Sequence, residues 1–474
     1  MTKPISLHHL SLFFPHKICF DEFSHSIFYG NRIGIIGRNG SGKSSLLKML
    51  AGLIEPSSGD ILMPADHRVG YVPQVIEDFD SQSGGQRFNK ALTQALALDP
   101  SVLLLDEPTN HLDTQNRRSL IRLLNAYPGT LLIVTHDVEL LQHCVDSIWH
   151  IEDGHIHVFT GSYDDYRREL SMKRAAIEQE LLSLARQKKD MHLDLMKEQT
   201  RAKTSRLSGE KNIRQRKWPT IVSDSKARNA QETSGRKKSA IQQKKQGLVD
   251  QLSELRLPEI IKPKFVLNGQ SSHQTIVSIS DGRVGYRERD PIVSQIRLSV
   301  HATDRIAITG NNGSGKSTLI KAILSDDAVV KQGEWLTPNP LDIGYLDQHY
   351  GTLPSEKTVL DVISEAMEFA THIDIRKHLN DFLFRKNEEV HAVVSTLSGG
   401  EKARLSLALI AAKTPKLLIL DEVTNNVDLE TRDHIIQVLK DYPGAMIVIS
   451  HDNDFLNAIH MTKSYHIHNQ VLQG

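Results

Sequence analysis

The chain contains few cysteines and few aromatic residues. Two of its 474 residues are cysteine, Cys19 and Cys144, and Phe, Trp and Tyr together account for 5%. Two isolated cysteines argue against a disulfide framework and against a cysteine-rich zinc site, because both need closely spaced sets of cysteines. A reducing compartment, the cytoplasm, is therefore the expected location.

Long hydrophobic runs are also missing. No segment approaches the ~18 uninterrupted apolar residues of a membrane-spanning helix, and the N-terminus lacks the apolar stretch of a signal peptide. The sequence therefore predicts no membrane span. If the chain served a transporter, the membrane part would have to be another chain.

The chain as a whole has no net charge, but one of its segments is strongly positive. The chain has 57 basic and 57 acidic residues. Residues 197–245 nevertheless contain 15 Lys and Arg against 4 Asp and Glu, a net charge of +11, which leaves −11 for the rest. Such a segregated basic segment predicts an anionic partner.

Two glycine-rich motifs, Gly37–Ser44 and Gly310–Ser317, start 273 positions apart and share the pattern Gly-x-x-x-x-Gly-Lys-Ser. Each follows a strand-like run and precedes a helix-like segment, which is the context of a phosphate-binding P-loop. The glycines let backbone N–H groups close around phosphates, the lysine reaches the β- and γ-phosphates, and the serine holds Mg²⁺. The motifs predict two ATP sites, with the following phosphate-binding residues: Gly37, Asn39, Gly40, Gly42, Lys43, Ser44, Ser45, Gly310, Asn312, Gly313, Gly315, Lys316, Ser317 and Thr318.

Each half also contains an apolar run that ends in two acidic residues, Leu103–Glu107 and Leu418–Glu422. An Asp at the end of a buried parallel strand can hold Mg²⁺, and the Glu after it is placed to act as general base for an attacking water. One strand later, each half has a His-Asp pair whose His can contact the γ-phosphate. The pattern predicts metal-binding and catalytic residues in both halves: Asp106, Asp421, Glu107, Glu422, His136 and His451.

The order P-loop, Gln, Ser-Gly-Gly, Leu-Asp-Glu and His resembles the ATP-binding cassette (ABC) family. In that family two cassettes pair head to tail, so that the P-loop of one faces the Ser-Gly-Gly signature of the other. The resemblance implies that Gln74 and Gln348 contact nucleotide and Mg²⁺. One site would combine residues 37–44 with Ser398, Gly399 and Gly400. The other would combine residues 310–317 with Ser83, Gly84 and Gly85.

Two aromatic residues lie at a suitable distance upstream of the P-loops. Phe14 and Tyr286 are candidates to stack on the adenine rings. The alternative for either residue is packing in the core of its cassette.

A narrower resemblance covers nearly the whole chain. The strings Asp106–Asp113 and Gly161–Tyr166 are similar to those of ABC-F proteins, which have two cassettes and no membrane domain. The resemblance implies a monomeric cytoplasmic ATPase that binds the bacterial ribosome at the tRNA exit site. Its linker would point towards the peptidyl-transferase centre, with rRNA and the P-site tRNA as partners.

Three spacings refine this expectation. Gln348 precedes Ser398 by 50 residues, whereas Gln74 precedes Ser83 by only 9, so the first cassette has almost no helical subdomain. That subdomain receives the membrane partner in ABC transporters, and its loss counts against transport. Lys43 and Gln74 are 31 residues apart, which leaves no room for the inserted arm of housekeeping ABC-F factors. These features are closer to the antibiotic-resistance members.

The segment between the cassettes is charged and helical in pattern. Heptad-like apolar positions occur on an outgoing and a return segment and predict an antiparallel helical hairpin. We expect Ser208-Gly209 to break the outgoing helix and Trp218-Pro219 to end it. Acids are scarce towards the tip, which favours polyanion binding over a solvated charged surface. The heptad positions are Ile177, Leu181, Leu184, Met191, Leu195, Ile241, Leu248, Leu252 and Leu255.

The sequence thus predicts an α/β protein with two tandem P-loop ABC-type nucleotide-binding domains joined by a long antiparallel α-helical hairpin linker. The expected domains are 1–165, 166–256 and 257–474, with a helical subdomain at about 349–397 in the last. ATP and Mg²⁺ are the expected ligands. A DNA-acting ABC ATPase and, less favoured, the ATPase subunit of a transporter are the alternative functions.

Overall fold

The computed structural model describes residues 3–15, 17–74, 84–110, 112–214, 261, 263, 265, 274–287, 290–347, 350–425 and 427–474. It divides into two compact units, one formed by residues 1–166 with 260–474 and the other by residues 167–259. The first unit contains both P-loops. Ser83, Gln348, the tip at Trp218-Pro219 and the whole return segment lie outside the described residues.

The first cassette is built on two sheets. In its described residues one sheet has the order β5-β6-β7-β3-β8-β9 and is parallel except for β9, and an antiparallel sheet has the order β2-β1-β4. The strands are β1 Ile5–Phe14, β2 Lys17–Ile27, β3 Arg32–Gly37, β4 Ser58–Leu62, β5 Val69–Val72, β6 Val102–Asp106, β7 Thr130–Val134, β8 Ser147–Glu152 and β9 His155–Thr160. The helices are α1 Lys43–Leu50, α2 Gly84–Ala97, α3 Thr114–Ala126 and α4 Val138–Cys144.

The linker begins with a single long helix, α5, at Tyr163–Arg214. Ser162 precedes it, and the Ser162 hydroxyl accepts a hydrogen bond from the Asp165 N–H at 3.2 Å, which is an N-cap arrangement. At 1.5 Å per residue its 52 residues extend for about 78 Å. None of the described helices is both long and apolar enough to cross a membrane.

The expected break at Ser208-Gly209 is wrong, because α5 continues through both residues. A glycine inside a helix costs only about 1 kcal/mol relative to alanine. The surrounding Lys, Arg, Glu and Gln residues are good helix formers, and many of them can offset one glycine. The heptad positions on this helix, from Ile177 to Leu195, are buried or half-buried, whereas Leu182 and Leu193 beside them are exposed.

The second cassette has a continuous sheet of order β13-β10-β11-β18-β17-β12-β16-β15-β14 in its described residues. The strands are β10 Thr275–Tyr286, β11 Val293–His301, β12 Arg305–Gly310, β13 Val329–Leu336, β14 Ile343–Leu346, β15 Leu417–Asp421, β16 Ala445–Ile449, β17 Lys463–His468 and β18 Val471–Gln473. The helices are α6 Lys316–Ile323, α7 Val359–Ala366, α8 His372–Asp381, α9 Asn387–Val390, α10 Gly399–Lys413, α11 Leu429–Asp441 and α12 Asn453–Ala458, with 3₁₀ turns at Pro340–Asp342 and Val394–Thr396.

The core of this cassette lies on both faces of the sheet. Leu418 and Leu420 of β15 belong to one apolar cluster, whereas Leu417 and Ile419 belong to the other. Successive side chains of a strand point to opposite faces, and a central parallel strand buries both of them. The helices at α7 to α9 pack in the first of these clusters, through residues such as Val359 and Leu379.

Parallel strands bring the predicted site residues to one edge of each sheet. In the first cassette β3 lies beside β7, and β7 lies beside β6. The pairs Ile35 with Val134 and Asp106 with Val134 show that the three strands end at the same level. The loops that follow them meet at the carboxyl edge of the sheet, where α/β proteins bind ligands.

Candidate active site

Each P-loop forms a cradle between a strand and a helix. Gly40 and Gly42 have φ of 75° and 98°, and Gly313 and Gly315 have φ of 78° and 102°. This left-handed conformation is accessible to glycine at little cost, so it explains the glycines of both motifs. A Cβ at Gly313 would meet no atom within 4 Å, which means that this cradle is open.

The P-loop lysines fold back over the cradles. Lys43 Nζ donates to the carbonyl oxygens of Gly37 and Arg38 at 2.7 and 2.9 Å, and Lys316 Nζ donates to those of Gly310 and Asn311 at 2.8 and 3.0 Å. Burial lowers the pKa of both lysines, while nearby carboxylates act in the opposite direction. A buried ammonium beside N–H groups at a helix start suits a strongly anionic ligand.

A second feature of the cradles fits phosphate. The hydroxyl groups of Ser41 and Ser314 are buried, and within the described chain they have no hydrogen-bond partner. A buried hydroxyl without a partner is costly. In each site, an oxygen atom of a bound triphosphate would accept the hydrogen bond of this hydroxyl group.

The predicted magnesium ligands meet in both halves. The Ser44 hydroxyl donates to Asp106 Oδ1 at 3.0 Å. Asp421 accepts a hydrogen bond from the Ser317 side chain. Burial raises the pKa of both aspartates. A hydroxyl and a carboxylate placed together next to a phosphate cradle are the oxygen ligands that Mg²⁺ uses in nucleotide sites.

The two predicted bases share an uncommon backbone conformation. Glu107 and Glu422 have φ of 48° and 51°, in the left-handed region. Their N–H groups donate to the carbonyl oxygens of Val134 and Ile449 at 2.8 and 2.9 Å, which fixes the turn after each strand. Non-glycine residues rarely adopt this conformation, and it is concentrated at functional sites.

A histidine lies next to each glutamate. The distance between His136 Nε2 and Glu107 Oε1 is 3.4 Å, and that between His451 Nε2 and Glu422 Oε1 is 3.5 Å. Burial raises the pKa of Glu107 to about 8. Burial, with a smaller contribution from the P-loop lysine, lowers the pKa of His136 to about 3 and of His451 to about 4. Both histidines are therefore neutral near pH 7.

The remaining predicted residues are placed as follows. Gln74 lies just after β5, and Gly84 and Gly85 begin α2. Ser398 is the N-cap of α10, with Gly399 and Gly400 in its first turn, and its hydroxyl accepts from the Glu401 N–H at 3.4 Å. The other P-loop residues, Asn39, Ser45, Asn312 and Thr318, lie in or directly after the cradles.

The two aromatic candidates differ in exposure. Phe14 ends β1 and is 52% exposed. Tyr286 is half-buried and packs against the core of the second cassette. Tyr286 also lines a cavity with Arg287, Asp327 and Ala328. Stacking on adenine stays a prediction for both residues.

The sequence predicts that the cassettes pair, but it did not identify the following residue contacts between them. The Asn39 N–H of the first P-loop donates to Asp428 Oδ2 at 3.1 Å, and Arg38 forms an ion pair with Glu430, with Nη2 and Oε1 2.8 Å apart. Asp428 is also the N-cap of α11 and accepts from the Thr431 N–H. Asp428 could have been found from the sequence, because an Asp follows each of Asp106 and Asp421 by seven positions and lies directly before a helix.

The reciprocal contacts lie at the other site. Thr114 Oγ1 is 3.3 Å from His451 Nδ1, and Arg117 Nη1 donates to the His451 carbonyl oxygen at 3.5 Å. The Arg117 side chain also forms a buried ion pair with Asp137. Each cassette thus places the start of a helix, α3 or α11, against the site of the other.

Comparison with known proteins agrees with this geometry. A family model described as ABC transporter matches residues 20–82 and 293–425, one stretch in each half, and one described as AAA domain matches residues 83–142. The Bacillus subtilis ribosome protection protein VmlR is 27% identical over 492 residues, covering 96% of this chain and 85% of that protein. The energy-dependent translational throttle protein EttA of Mycobacterium tuberculosis is 28% identical over 526 residues, covering 93% of this chain and 87% of that protein.

Over at least 93% of its length the chain is similar to these two relatives, which are ABC-F proteins. The solved structure of the archaeal ribosome recycling factor aABCE1, in complex with the archaeal ribosomal stalk protein aP1, shares its fold. The TM-score is 0.61 at 17% identity, over 97% of this chain and 87% of that one. The chain is an ATPase with two ABC cassettes.

The burial of Glu107 predicts a stability effect in this ABC ATPase. Glu107→Gln should raise the Tm of the protein without nucleotide or Mg²⁺, and by more at pH 8 than at pH 5. A glutamate in the unfolded chain ionises near ~4.3, whereas folded Glu107 keeps its proton to about pH 8. Between these values the folded state binds one more proton than the unfolded state, so the free energy of unfolding falls as pH rises.

Glutamine cannot ionise, so the variant avoids this loss, which amounts to roughly a few kcal/mol near pH 8. Thermal unfolding at several pH values, with a metal chelator present, measures the effect. Glu334→Gln, which changes an exposed glutamate by the same chemistry, is the control. A difference in Tm that is the same at pH 5 and pH 8 would contradict the prediction.

Proposed function

We propose that this ABC-F ATPase binds the ribosome when ATP closes its two cassettes, and that it then holds the basic linker segment against rRNA and the P-site tRNA. The observation that carries the proposal is the combination of two phosphate cradles, each touched by the opposite cassette, with a helical linker. That linker contains the segment of net charge +11 at residues 197–245. The names of VmlR and EttA, which refer to ribosome protection and translation, support the ribosome as the polyanion.

The hydrolytic steps follow from the site. Lys43 and Lys316 would balance the phosphate charge, and the predicted signature and Q-loop residues would complete each pocket. A bound Mg²⁺, held by Ser44 and Asp106 or by Ser317 and Asp421, would neutralise charge on the β- and γ-phosphates. In its ionised form, which a bound Mg²⁺ nearby would favour, Glu107 or Glu422 would accept the proton of the attacking water as the water oxygen bonds to the γ-phosphorus and the bond to the β,γ-bridging oxygen breaks.

The products are ADP and inorganic phosphate. His136 and His451, being neutral, can hydrogen-bond the γ-phosphate through one ring nitrogen without adding charge. Loss of the γ-phosphate removes the ligand that joins one P-loop to the opposite cassette. We therefore expect hydrolysis to open the cassettes and release the linker from RNA.

Protection against ribosome-targeting antibiotics is the more specific form of the proposal. The proposal uses the length of the linker, since α5 alone extends for about 78 Å over 52 residues. No arm is inserted between Lys43 and Gln74, which are 31 residues apart. Growth of a sensitive host producing the protein, tested against drugs that bind near the peptidyl-transferase centre, distinguishes protection from a general effect on translation.

Ribosome binding is tested by sedimentation of the Glu107→Gln/Glu422→Gln protein with purified ribosomes, with and without ATP. The variant should pellet with ribosomes only when ATP is present, because ATP would close the cassettes without being consumed. A form lacking residues 197–245 should not pellet. If that form pellets equally tightly and with equal dependence on ATP, the proposal is wrong.

Duplex DNA provides the competing polyanion. At a fixed salt concentration, excess ribosomes should displace the ATP-bound variant from labelled duplex DNA, and excess DNA should not displace it from ribosomes. The opposite order of preference would favour a DNA-acting ATPase. Purification of the intact chain with a membrane partner would favour the transporter alternative.

A further inference from the structure

The two histidines of the ATP sites have different surroundings. His451 Nδ1 lies 3.3 Å from Thr114 Oγ1, a hydroxyl supplied by the opposite cassette. His136 is the corresponding residue of the first site. In the described part of the chain neither of its ring nitrogens has a hydrogen-bond partner. The two histidines therefore differ in one hydrogen bond, which His451 makes to a residue at the start of a helix in the other cassette.

The sequence explains the difference. Thr114 directly follows Asp113, the N-cap of α3, and Leu429 directly follows Asp428, the N-cap of α11. The two positions therefore correspond. Leu429 has no hydroxyl, and it packs against an apolar cluster of the first cassette. The first site accordingly receives a hydrocarbon side chain where the second receives a hydrogen-bonding group.

The contact with Thr114 bears on which ring nitrogen of His451 carries the proton, because a hydroxyl can either donate to a bare Nδ1 or accept from an Nδ1–H. His451 is buried and neutral near pH 7, because burial lowers its pKa to about 4. When Nδ1 accepts from the Thr114 hydroxyl, the single ring proton is on Nε2. Nε2 is the nitrogen that faces Glu422, at 3.5 Å, and it has no hydrogen-bond partner among the described residues. An N–H there can donate to a phosphate oxygen.

We infer that Thr114 is a positioning residue for the second ATP site: its hydroxyl holds His451 in the Nε2–H tautomer, and the first site, which has Leu429 instead, hydrolyses ATP more slowly. The inference rests on the ATP chemistry proposed above for Glu422 and His451. It adds a residue whose hydrogen bond, within the described chain, is to His451 rather than to Glu422 or the P-loop. It also attributes the slower hydrolysis expected at the first site to one position, which is Thr114 in the first cassette and Leu429 in the second.

The ion pair between Arg38 and Glu430 strengthens the asymmetry. It joins the P-loop of the first site to α11, and Arg38 Nη2 and Glu430 Oε1 are 2.8 Å apart. The corresponding residues of the second site are Asn311 and Gln115, which carry no charge. The first site thus has an additional ion pair between the cassettes, and its histidine lacks the orienting hydrogen bond. Both features suit a site that retains ATP rather than one that hydrolyses it rapidly.

The test measures the two sites separately in the full-length protein. Glu107→Gln leaves only the second site with its base, and Glu422→Gln leaves only the first. Thr114→Val, which keeps the shape and removes the hydroxyl, is introduced into each background, and kcat and KM for ATP are measured by phosphate release. Thr114→Ser restores a hydroxyl. Ser119→Ala, which removes a hydroxyl bonded to the Gln115 carbonyl within the same helix, is the matched control.

We expect Thr114→Val to lower kcat of the second site on the order of tenfold with little change in KM, as loss of an orienting hydrogen bond does. Thr114→Ser should restore most of the rate, and neither change should affect the first site. An equal fall in both backgrounds, no fall in either, a rise in KM alone, or no rescue by serine would overturn the inference.

The same substitutions are made in the otherwise unaltered chain, so that coupling between the sites cannot hide the result. There, a lower kcat for Thr114→Val than for Thr114→Ser supports the inference, and equal values overturn it. If the single Gln variants keep the parent rate, the assignment of the bases fails instead, and the comparison of valine with serine still decides the role of Thr114.

Discussion

Changing both Glu107 and Glu422 to Gln should reduce ATP turnover by roughly a thousandfold and leave ATP binding intact, because general base catalysis contributes about 10²–10⁴ in rate. Glutamine has nearly the same shape as glutamate but cannot accept a proton from water. Lys43, Lys316 and the aspartates that would hold Mg²⁺ are unchanged. Binding therefore depends on groups that the substitutions do not touch.

Steady-state phosphate release and equilibrium binding of a fluorescent ATP analogue measure the two quantities. The double change Glu334→Gln/Glu388→Gln alters two exposed glutamates of the second cassette by the same chemistry and should behave like the parent. If the Glu107 and Glu422 variant hydrolyses ATP at the parent rate, neither residue is the base. If it fails to bind the analogue, the carboxylates serve in binding rather than in catalysis.

The parts of the site that the sequence predicts well are those carried by contiguous residues. The P-loop at Gly37–Ser44 contains its own glycines, lysine and helix start, so local geometry follows from local sequence. The strands that end at Asp106 and Asp421 are recognisable because central parallel strands are apolar on both faces. Once the strands are parallel, the loops must meet at one edge.

The parts that the sequence does not predict depend on distant residues. Arg38 and Glu430 are 392 positions apart, and Thr114 and His451 are 337 apart. Neither pair has a local pattern, because the contact exists only when two cassettes pack together. The left-handed backbone of Glu107 is another example, since its cost is compensated by the hydrogen bond from its N–H to Val134.

Helix α5 shows the limit of rules based on single residues. Ser208-Gly209 predicts a break, yet the helix extends to Arg214. Glycine is penalised per residue, whereas the stability of a long helix is summed over many residues and their packing. The return segment and the tip at Trp218-Pro219 lie outside the described residues, so the predicted hairpin remains a prediction.

Neutralising part of the basic segment should weaken ribosome association on the order of a hundredfold, and it should make that association less sensitive to salt, since each phosphate contact contributes about 0.7–0.9 to the slope of log K against log salt. The proposed variant of the Glu107→Gln/Glu422→Gln protein changes four residues of the segment to Gln: Lys211, Arg214, Arg216 and Lys217. Binding with ATP is measured by sedimentation over a series of salt concentrations.

A variant with the same change in formal charge separates local contact from net charge. Lys377, Lys386, Lys413 and Lys440 are exposed residues of the second cassette, and their change to Gln also removes four positive charges. If the basic segment binds RNA directly, only the first variant loses affinity and salt dependence, because released counterions come from phosphates in contact with the lost cations. Equal losses in both variants would mean that overall charge, screened beyond ~10 Å at 0.1 M salt, governs the association. The linker would then have no specific role in binding.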